Sequence, residues 1–230
     1  MNRAHTLLPR GLIVSCQAEE GSPFNAPEFI VAFARAAELG GAVGVRVRDA
    51  ANIRAVKRAT TLPIIGITKS QFPGGAILVT PDFPDIEAIM QAGADIVALD
   101  ATKRSRPNGL DGPSMIREVR KRFNIPLMAD IATVEEGLAA AEAGAELVGT
   151  TLSGYTDSTT NARKDVPDFE LIEHLAEKLP GQVIAEGRIR TPEQASFALK
   201  LGAYAVVVGT AITRPVEIVK RFASASKLTA

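Results

Sequence analysis

The sequence predicts an α/β chain closed into a single (β/α)8, or TIM, barrel spanning residues 1–230. Three observations carry that reading. Eight short runs rich in Val, Ile and Leu alternate with amphipathic stretches from one end of the chain to the other. The runs are continuously apolar rather than alternating, as strands of a parallel sheet buried on both faces must be. And 230 residues suit one barrel, which takes about 250, better than two domains.

The strand candidates, in order, are residues 11–17, 43–47, 63–68, 96–102, 126–132, 147–154, 183–189 and 205–213. Helical patterns between them occupy residues 26–39, 82–92, 113–123, 134–143, 169–179 and 192–201. The first helix ends at Leu39-Gly40-Gly41, and Ala92-Gly93-Ala94, Ala143-Gly144-Ala145 and Leu201-Gly202-Ala203 each close a later helix ahead of a strand. Glycine there permits the left-handed turn that stops a helix. Thr133 before Val134-Glu135-Glu136 and Thr191 before Pro192-Glu193 read as helix starts. A doubly wound open sheet is the alternative, but no G-x-G-x-x-G follows the first strand, which argues against a dinucleotide-binding sheet. The longest polar connections, residues 103–112 and 156–167, both follow strands and so fall on the face where barrel enzymes carry their chemistry.

Composition excludes several classes. The formal net charge is zero, so no bulk attraction to nucleic acid or an anionic membrane is expected. The single cysteine, Cys16, forms no internal disulfide and suits a reducing compartment. His5 and His174 provide no Cys/His zinc spacing and read as peripheral, His5 in the N-terminal tail and His174 on an exposed helix face. Residues 1–10 lack the apolar stretch of a secretory signal, and no run approaches the ~20 apolar residues of a membrane helix. A soluble, cytoplasmic protein is expected.

Polar side chains gather at one end of every strand. Strand one ends at Ser15-Cys16-Gln17; strand two carries Arg46 and Arg48; strand three delivers Lys69; strand four ends at Asp100, with Lys103 and Arg104 beyond. Strand five ends at Asp130, strand six supplies Thr150, Thr151 and Tyr155, strand seven Glu186 and Arg188, and strand eight Gly209-Thr210 with Arg214 after it. Charges are costly in buried apolar strands unless paired or functional. Lys69, if desolvated or set beside Arg46, loses its proton more easily and becomes a base or an imine-forming amine; otherwise it is a solvated loop lysine. Glu186 is an acid–base group or the structural partner of an arginine such as Arg188. Asp100 and Asp130 either join the site or tie down loops. Gly187-Arg188 and Gly209-Thr210, with Arg214, read as a phosphate site after strands seven and eight, because glycine lets backbone N–H groups approach an anion. Cys16 reads as a small buried residue rather than a nucleophile, with no histidine nearby in the sequence to activate it. The basic stretch at residues 117–122 reads as a solvated helix face.

Taken in order, Ser15-Cys16-Gln17-Ala18, Gly44-Val45-Arg46, Gly66-Ile67-Thr68-Lys69, Leu99-Asp100-Ala101-Thr102-Lys103-Arg104, Met128-Ala129-Asp130-Ile131, Gly149-Thr150-Thr151-Leu152-Ser153-Gly154-Tyr155 and Ala185-Glu186-Gly187-Arg188-Ile189 resemble the bacterial N-acetylmannosamine-6-phosphate 2-epimerases. The resemblance runs from about Gly11 to Phe222 and is weakest at residues 71–76 and in the tail. It implies a barrel of the ribulose-phosphate-binding type. It also implies interconversion of N-acetylmannosamine 6-phosphate and N-acetylglucosamine 6-phosphate in sialic acid breakdown, with no metal or nucleotide cofactor. It places catalysis on Lys69 and Glu186, the substrate on Gln17, Arg46, Asp130, Thr151 and Tyr155, and the phosphate on Gly187, Arg188, Gly209, Thr210 and Arg214. A homodimer is expected. Two other functions fit the same barrel: a Schiff-base aldolase using Lys69, and a non-catalytic phosphosugar-binding protein.

Overall fold

The computed structural model describes residues 3–71, 77–160 and 165–226. Eight parallel strands close into a barrel: β1 (Leu12–Cys16), β2 (Gly44–Arg48), β3 (Ile64–Ile67), β6 (Ile96–Asp100), β7 (Leu127–Asp130), β8 (Leu147–Gly149), β9 (Val183–Glu186) and β10 (Ala205–Val208). The ring runs β1-β2-β3-β6-β7-β8-β9-β10 and returns to β1, where Leu12 pairs with Val206. The outer helices are α2 (Pro27–Leu39), α3 (Ala50–Lys57), α4 (Phe83–Gln91), α5 (Gly112–Arg122), α6 (Val134–Glu142), α7 (Phe169–Lys178) and α8 (Pro192–Lys200). A short α9 (Thr210–Thr213) and then α10 (Pro215–Ala225) follow β10.

Every expected strand is present, and all but β2, which keeps its five residues one position later, are shorter than their apolar runs. Chain past the last ladder bond turns into the connection even where the residues stay apolar. The run at 205–213 divides at Gly209 into β10 and α9, and the run at 147–154 leaves the sheet after Gly149. The glycines after the helices behave as expected: Gly41, Gly93, Gly144 and Gly202 all have φ between 83° and 109°. Thr133 and Thr191 cap α6 and α8, Thr133 within a reciprocal capping box with Glu136.

Alternation along the strands sorts side chains between two layers. Val45, Val47, Val97, Leu99, Leu127, Ala129, Val148 and Val183 face outward and pack on the helices. Ile13, Ile65, Ile67, Ile96, Ala98, Met128, Leu147, Ile184, Ala205 and Val207 fill the interior. The interior rows continue upward into Ser15, Arg46, Asp100, Asp130 and Glu186, so the strand period itself aims these polar groups at the mouth.

Two features differ from the sequence reading. Lys69 is not in a loop: it opens β4 (Lys69–Gln71), which pairs antiparallel with β5 (Ile77–Val79) as a hairpin above β3. The two strands are too short for their alternation to register, and residues 72–76 lie outside the described chain. His5 is not peripheral either. It sits in α1 (Arg3–Leu7), which closes the N-terminal end of the barrel through the fully buried Ala4 and Leu8. His5 bonds to the Gly181 carbonyl at 2.6 Å and stacks on Tyr204 at 4.2 Å, while the Tyr204 hydroxyl donates to Leu8 O at 2.8 Å. His174 is exposed, as expected. Cys16 is buried, and burial pushes its thiol up to about 12, which removes it as a nucleophile. No helix among the described residues is long and apolar enough to cross a membrane.

Candidate active site

The C-terminal ends of the strands surround a cavity of about 770 Å³, within the range of small-molecule sites. At its floor Arg46 is 1% exposed and forks between two acids. Its Nη2 donates to Asp130 Oδ2 at 2.5 Å, and its Nη1 donates to Asp130 Oδ1 at 3.0 Å and to Glu186 Oε2 at 2.7 Å. The Thr151 hydroxyl stands between the same two carboxylates, 2.7 Å from Asp130 Oδ1 and 3.2 Å from Glu186 Oε2. The Thr150 hydroxyl donates to Glu186 O and accepts from Glu186 N, fixing that turn of the backbone. Gly149, paired in register with Asp130, makes room beneath the cluster: a Cβ there would run into Met128 and crowd Asp130 Oδ1.

Charges in this cluster perturb one another. Burial disfavours the Arg46 cation, but Asp130 and Glu186 outweigh it and keep the guanidinium protonated. Burial pushes the Glu186 carboxyl upward; Arg46 opposes this, Asp130 adds to it, and the Thr151 hydrogen bond and Lys69 pull it back. Lys69 reaches the same cavity from the hairpin. Its side chain meets the water of the open mouth yet is walled by protein. Burial pushes its ammonium down to about 8, with Arg46, Arg214 and Arg48 acting the same way and Glu186 opposing. A large part of Lys69 is therefore a neutral amine near pH 8.

Gln17 lies in the same wall, its Nε2 donating to Ser15 Oγ at 2.8 Å. Its buried Oε1 and the buried Arg46 Nε have no hydrogen-bond partner among the described residues. An unpaired buried acceptor and an unpaired buried donor, both beside the cavity, are where a polar ligand would be held.

Gly187, Gly209 and Thr210 line the cavity with Arg214, whose Nε is 3.1 Å from Glu19 Oε1. Gly187 and Arg188 both take positive φ, 113° and 59°, a kink that glycine adopts freely and arginine does not. The Arg188 guanidinium, expected at the phosphate, donates instead to Val166 O at 2.7 Å and Ser153 O at 2.5 Å, tying the β8–α7 connection to β9. Tyr155 is 61% exposed at the rim, its ring 5.8 Å from the Arg188 guanidinium carbon.

The structure thus gathers Gln17, Arg46, Lys69, Thr151 and Glu186, with Asp130 held by Arg46 and Thr151, around one cavity that Gly187, Gly209, Thr210 and Arg214 also line. Asp100 stays outside this group. It is fully buried, accepts from Thr102 N–H and hydroxyl, and holds Arg104 at 2.5 Å. Arg190 is a site group that the sequence reading misses. It lines the cavity two residues past Arg188, beyond the end of β9, where no strand alternation marks it in the sequence. Arg46, Lys69, Arg104, Arg188, Arg190 and Arg214 against Asp157 and Glu186 give the lining a strong positive excess in a chain of zero net charge. Among the described residues no group of three or more His, Cys, Asp or Glu side chains is arranged to hold a metal.

A closed barrel with a lysine, a buried glutamate and a forked arginine at its C-terminal mouth has the architecture of a (β/α)8-barrel enzyme working by proton transfer. The chain belongs to the family described as "Putative N-acetylmannosamine-6-phosphate epimerase", whose pattern matches residues 30–228. Relatives from Caldanaerobacter subterraneus subsp. tengcongensis and Cutibacterium acnes, each named "Putative N-acetylmannosamine-6-phosphate 2-epimerase", are 49% and 48% identical, over 94% of this chain and 90% and 93% of theirs. The solved N-acetylmannosamine-6-phosphate 2-epimerase of Clostridium perfringens superposes with a TM-score of 0.89 at 40% identity, covering 97% of this chain and 96% of that one. A thiamine phosphate pyrophosphorylase from Pyrococcus furiosus, at TM-score 0.60 and 18% identity, shares the fold.

Proposed function

We propose that this barrel interconverts N-acetylmannosamine 6-phosphate and N-acetylglucosamine 6-phosphate by exchanging the proton at C2, in amino-sugar and sialic acid catabolism. The observation that carries the mechanism is Lys69, held near pKa 8, lining the same cavity as Arg46 and Glu186 of the Arg46–Asp130–Glu186 cluster. In the open-chain sugar C2–H lies beside the aldehyde, so its removal gives a delocalised enolate; the closed ring lacks that activation. Ring opening must therefore precede proton transfer.

In this reading Glu186 moves protons between O1 and O5 to open and close the ring. Its raised pKa suits a group that both gives and takes a proton. Neutral Lys69 takes the C2 proton and the ammonium returns one to the other face after the intermediate shifts, a contribution of about 10² to 10⁴-fold. Arg46 stabilises the developing oxyanion through its fixed guanidinium. Gln17 Oε1 receives a sugar hydroxyl or amide N–H, Thr151 and Asp130 hold Arg46 and Glu186 in place, and Tyr155 covers the rim. The backbone at Gly187, Arg188, Gly209 and Thr210, with the Arg214 side chain, binds the phosphate. The acidity comes from the aldehyde, so the scheme calls for no metal or nucleotide. The enzyme works in the cytoplasm as a homodimer without a nucleic-acid partner, which agrees with the lone reduced Cys16, the zero net charge and the prevalence of two-fold assemblies.

Turnover in D2O tests this reading: deuterium enters C2 of the product, and a 2-deuterated substrate reacts more slowly. Product without C2 deuterium and without an isotope effect overturns proton abstraction. Lys69→Ala loses kcat rather than raising KM. Borohydride treatment with substrate leaves no adduct on Lys69; a trapped adduct there would instead favour a Schiff-base aldolase.

A further inference from the structure

One buried cation of the barrel has its hydrogen-bond donors unmet. Arg106 is 5% exposed, and its Nε, Nη1 and Nη2 are all buried and unpaired among the described residues. Keeping guanidinium donors unmet away from water is costly, and a buried ion in that state weakens a fold rather than holding it. Burial pulls the Arg106 pKa down; Asp100 opposes this most, Arg104 adds to it and Asp111 opposes it. Asp100 is therefore the carboxylate whose charge Arg106 feels most, yet the hydrogen bonds of Asp100 go elsewhere.

Both arginines stand on the connection between β6 and α5. Exposure alternates along it: Lys103, Ser105, Pro107 and Gly109 are exposed, while Arg104, Arg106 and Asn108 turn inward. Arg104 and Arg106 thus share one face, with Cα atoms at most roughly 7 Å apart, a gap that an arginine side chain spans. Arg104 lines the active-site cavity, and its Nη2 donates to Asp100 Oδ2 at 2.5 Å. Asp100 Oδ1 accepts from the Thr102 N–H and hydroxyl. The Oδ2 edge is therefore the part of Asp100 that falls open when Arg104 leaves. The backbone on either side is pinned: Lys103 N–H donates to Glu136 Oε1 at 3.1 Å, and Asn108 Nδ2 donates to Asp82 Oδ1 at 3.0 Å. Side chains can exchange here with the connection in place.

We infer that Arg104 and Arg106 exchange at Asp100: on substrate binding Arg104 leaves the carboxylate for the carbonyl oxygen of the sugar's 2-acetamido group, and Arg106 takes over Asp100 Oδ2. The empty barrel leaves Arg106 unpaired; the filled one pairs both arginines, and Asp100 keeps a cation throughout. Ring order selects the acetamide. β6 borders β3, which leads into Lys69, and lies four places from β10 in the ring of eight, on its far side. A sugar whose phosphate meets the ends of β9 and β10 turns C1 and C2 toward β3 and β6. C2 carries the acetamide, whose oxygen accepts the donors that Arg104 offers. The placement rests on the phosphate and C2 readings proposed above. Arg104 is then a specificity residue, and Arg106, which touches no substrate, is a positioning residue.

Calorimetric binding of N-acetylglucosamine 6-phosphate and of glucose 6-phosphate, which lacks the acetamide, tests the exchange on the full chain. Arg104→Met raises the Kd of the acetylated sugar about tenfold, the size of a lost hydrogen bond to a charged group, and leaves that of glucose 6-phosphate unchanged. Arg106→Met removes the buried charge; the chain melts no lower than wild type, yet the Kd of the acetylated sugar rises severalfold, because nothing replaces Arg104 on Asp100. In the double variant the two effects do not add, since Arg106 acts only through Arg104. Equal weakening of both sugars by Arg104→Met overturns the acetamide contact. A lower Tm with unaltered Kd in Arg106→Met, or additive losses in the double variant, overturns the exchange and makes Arg106 a structural ion. Absence of C2 exchange in D2O with the expected Kd pattern instead overturns the epimerase reading, and Arg214→Gln that weakens neither sugar overturns the phosphate reading; both leave the arginine exchange standing.

Discussion

Thr151→Val isolates one hydroxyl at the centre of the site. Valine keeps the shape of threonine, so the cavity wall is unchanged and only the polar contact to Asp130 and Glu186 is lost. Asp130 keeps both bonds from Arg46 and Glu186 keeps one, so no carboxylate is left without a partner. The cost is that of a hydrogen bond to a charged group, about 1.5–3 kcal/mol, rather than that of an orphaned charge. For a chain of 230 residues this lowers Tm by roughly 3–12 °C. The chemistry shifts in a definite direction. The Thr151 bond holds the Glu186 pKa down against burial, so removing it moves that pKa further up. The limb of the kcat–pH profile that belongs to Glu186 therefore moves to higher pH, while the Lys69 limb near 8 stays where it is. Calorimetric melting and a kcat–pH series check both halves. An unchanged Tm together with an unmoved Glu186 limb would refute the shared-hydroxyl geometry.

Three further outcomes follow from the same geometry. Because Lys69 must be neutral to take a proton and titrates at about 8, the lysine-dependent limb of kcat/KM falls about tenfold per pH unit below that value, and a profile flat from pH 6 to 8 would remove it as the base. Tyr204→Phe removes the bond to Leu8 O at the far end of the barrel; melting should show a loss of about 0.5–1.5 kcal/mol with kcat and KM unchanged, and altered kinetics would contradict the separation of the two ends. Gly149→Ala drives a methyl into Met128 and Asp130, destabilising the fold by about 1–3 kcal/mol and lowering kcat through the displaced carboxylate, which urea melts and steady-state rates will show.

The barrel was legible because strand burial on both faces leaves an unbroken apolar run, and helix stops leave glycines at positive φ. The site was legible for a related reason. Inward side chains recur every second residue, so a charge two positions beyond an inward apolar residue, such as Asp130 after Met128 or Glu186 after Ile184, is already aimed at the mouth. What the sequence could not show was pairing between groups far apart along it. Nothing local to Arg188 says that its guanidinium is held by Ser153 and Val166 rather than turned to the cavity. Nothing local to His5 says that Gly181 and Tyr204 wait for it at the closed end. The hairpin that carries Lys69 is hidden for another reason: three-residue strands are too short for a period to register.

The Arg46 cluster also bears on why the site is built with charges where an apolar floor would be cheaper. Replacing a buried ion pair by apolar groups is often neutral or stabilising, so fold stability is not a sufficient reason for three charged side chains beneath the mouth. Their geometry supplies one. Asp130 takes both terminal nitrogens of Arg46 and thereby fixes the guanidinium plane, and Glu186 is then held by a cation that cannot turn away. An acid that must give and take protons within one turnover needs a neighbour whose charge does not move with it. Arg46 remains protonated throughout, whereas a lysine in its place would itself titrate when buried. Among the described residues, the cavity amine that burial and neighbouring arginines shift, Lys69, stands on a separate hairpin above the floor. The fixed charge and the titrating amine are thus divided between the barrel wall and an element added to it, and that division leaves Glu186 its Arg46 hydrogen bond whichever protonation state the lysine takes.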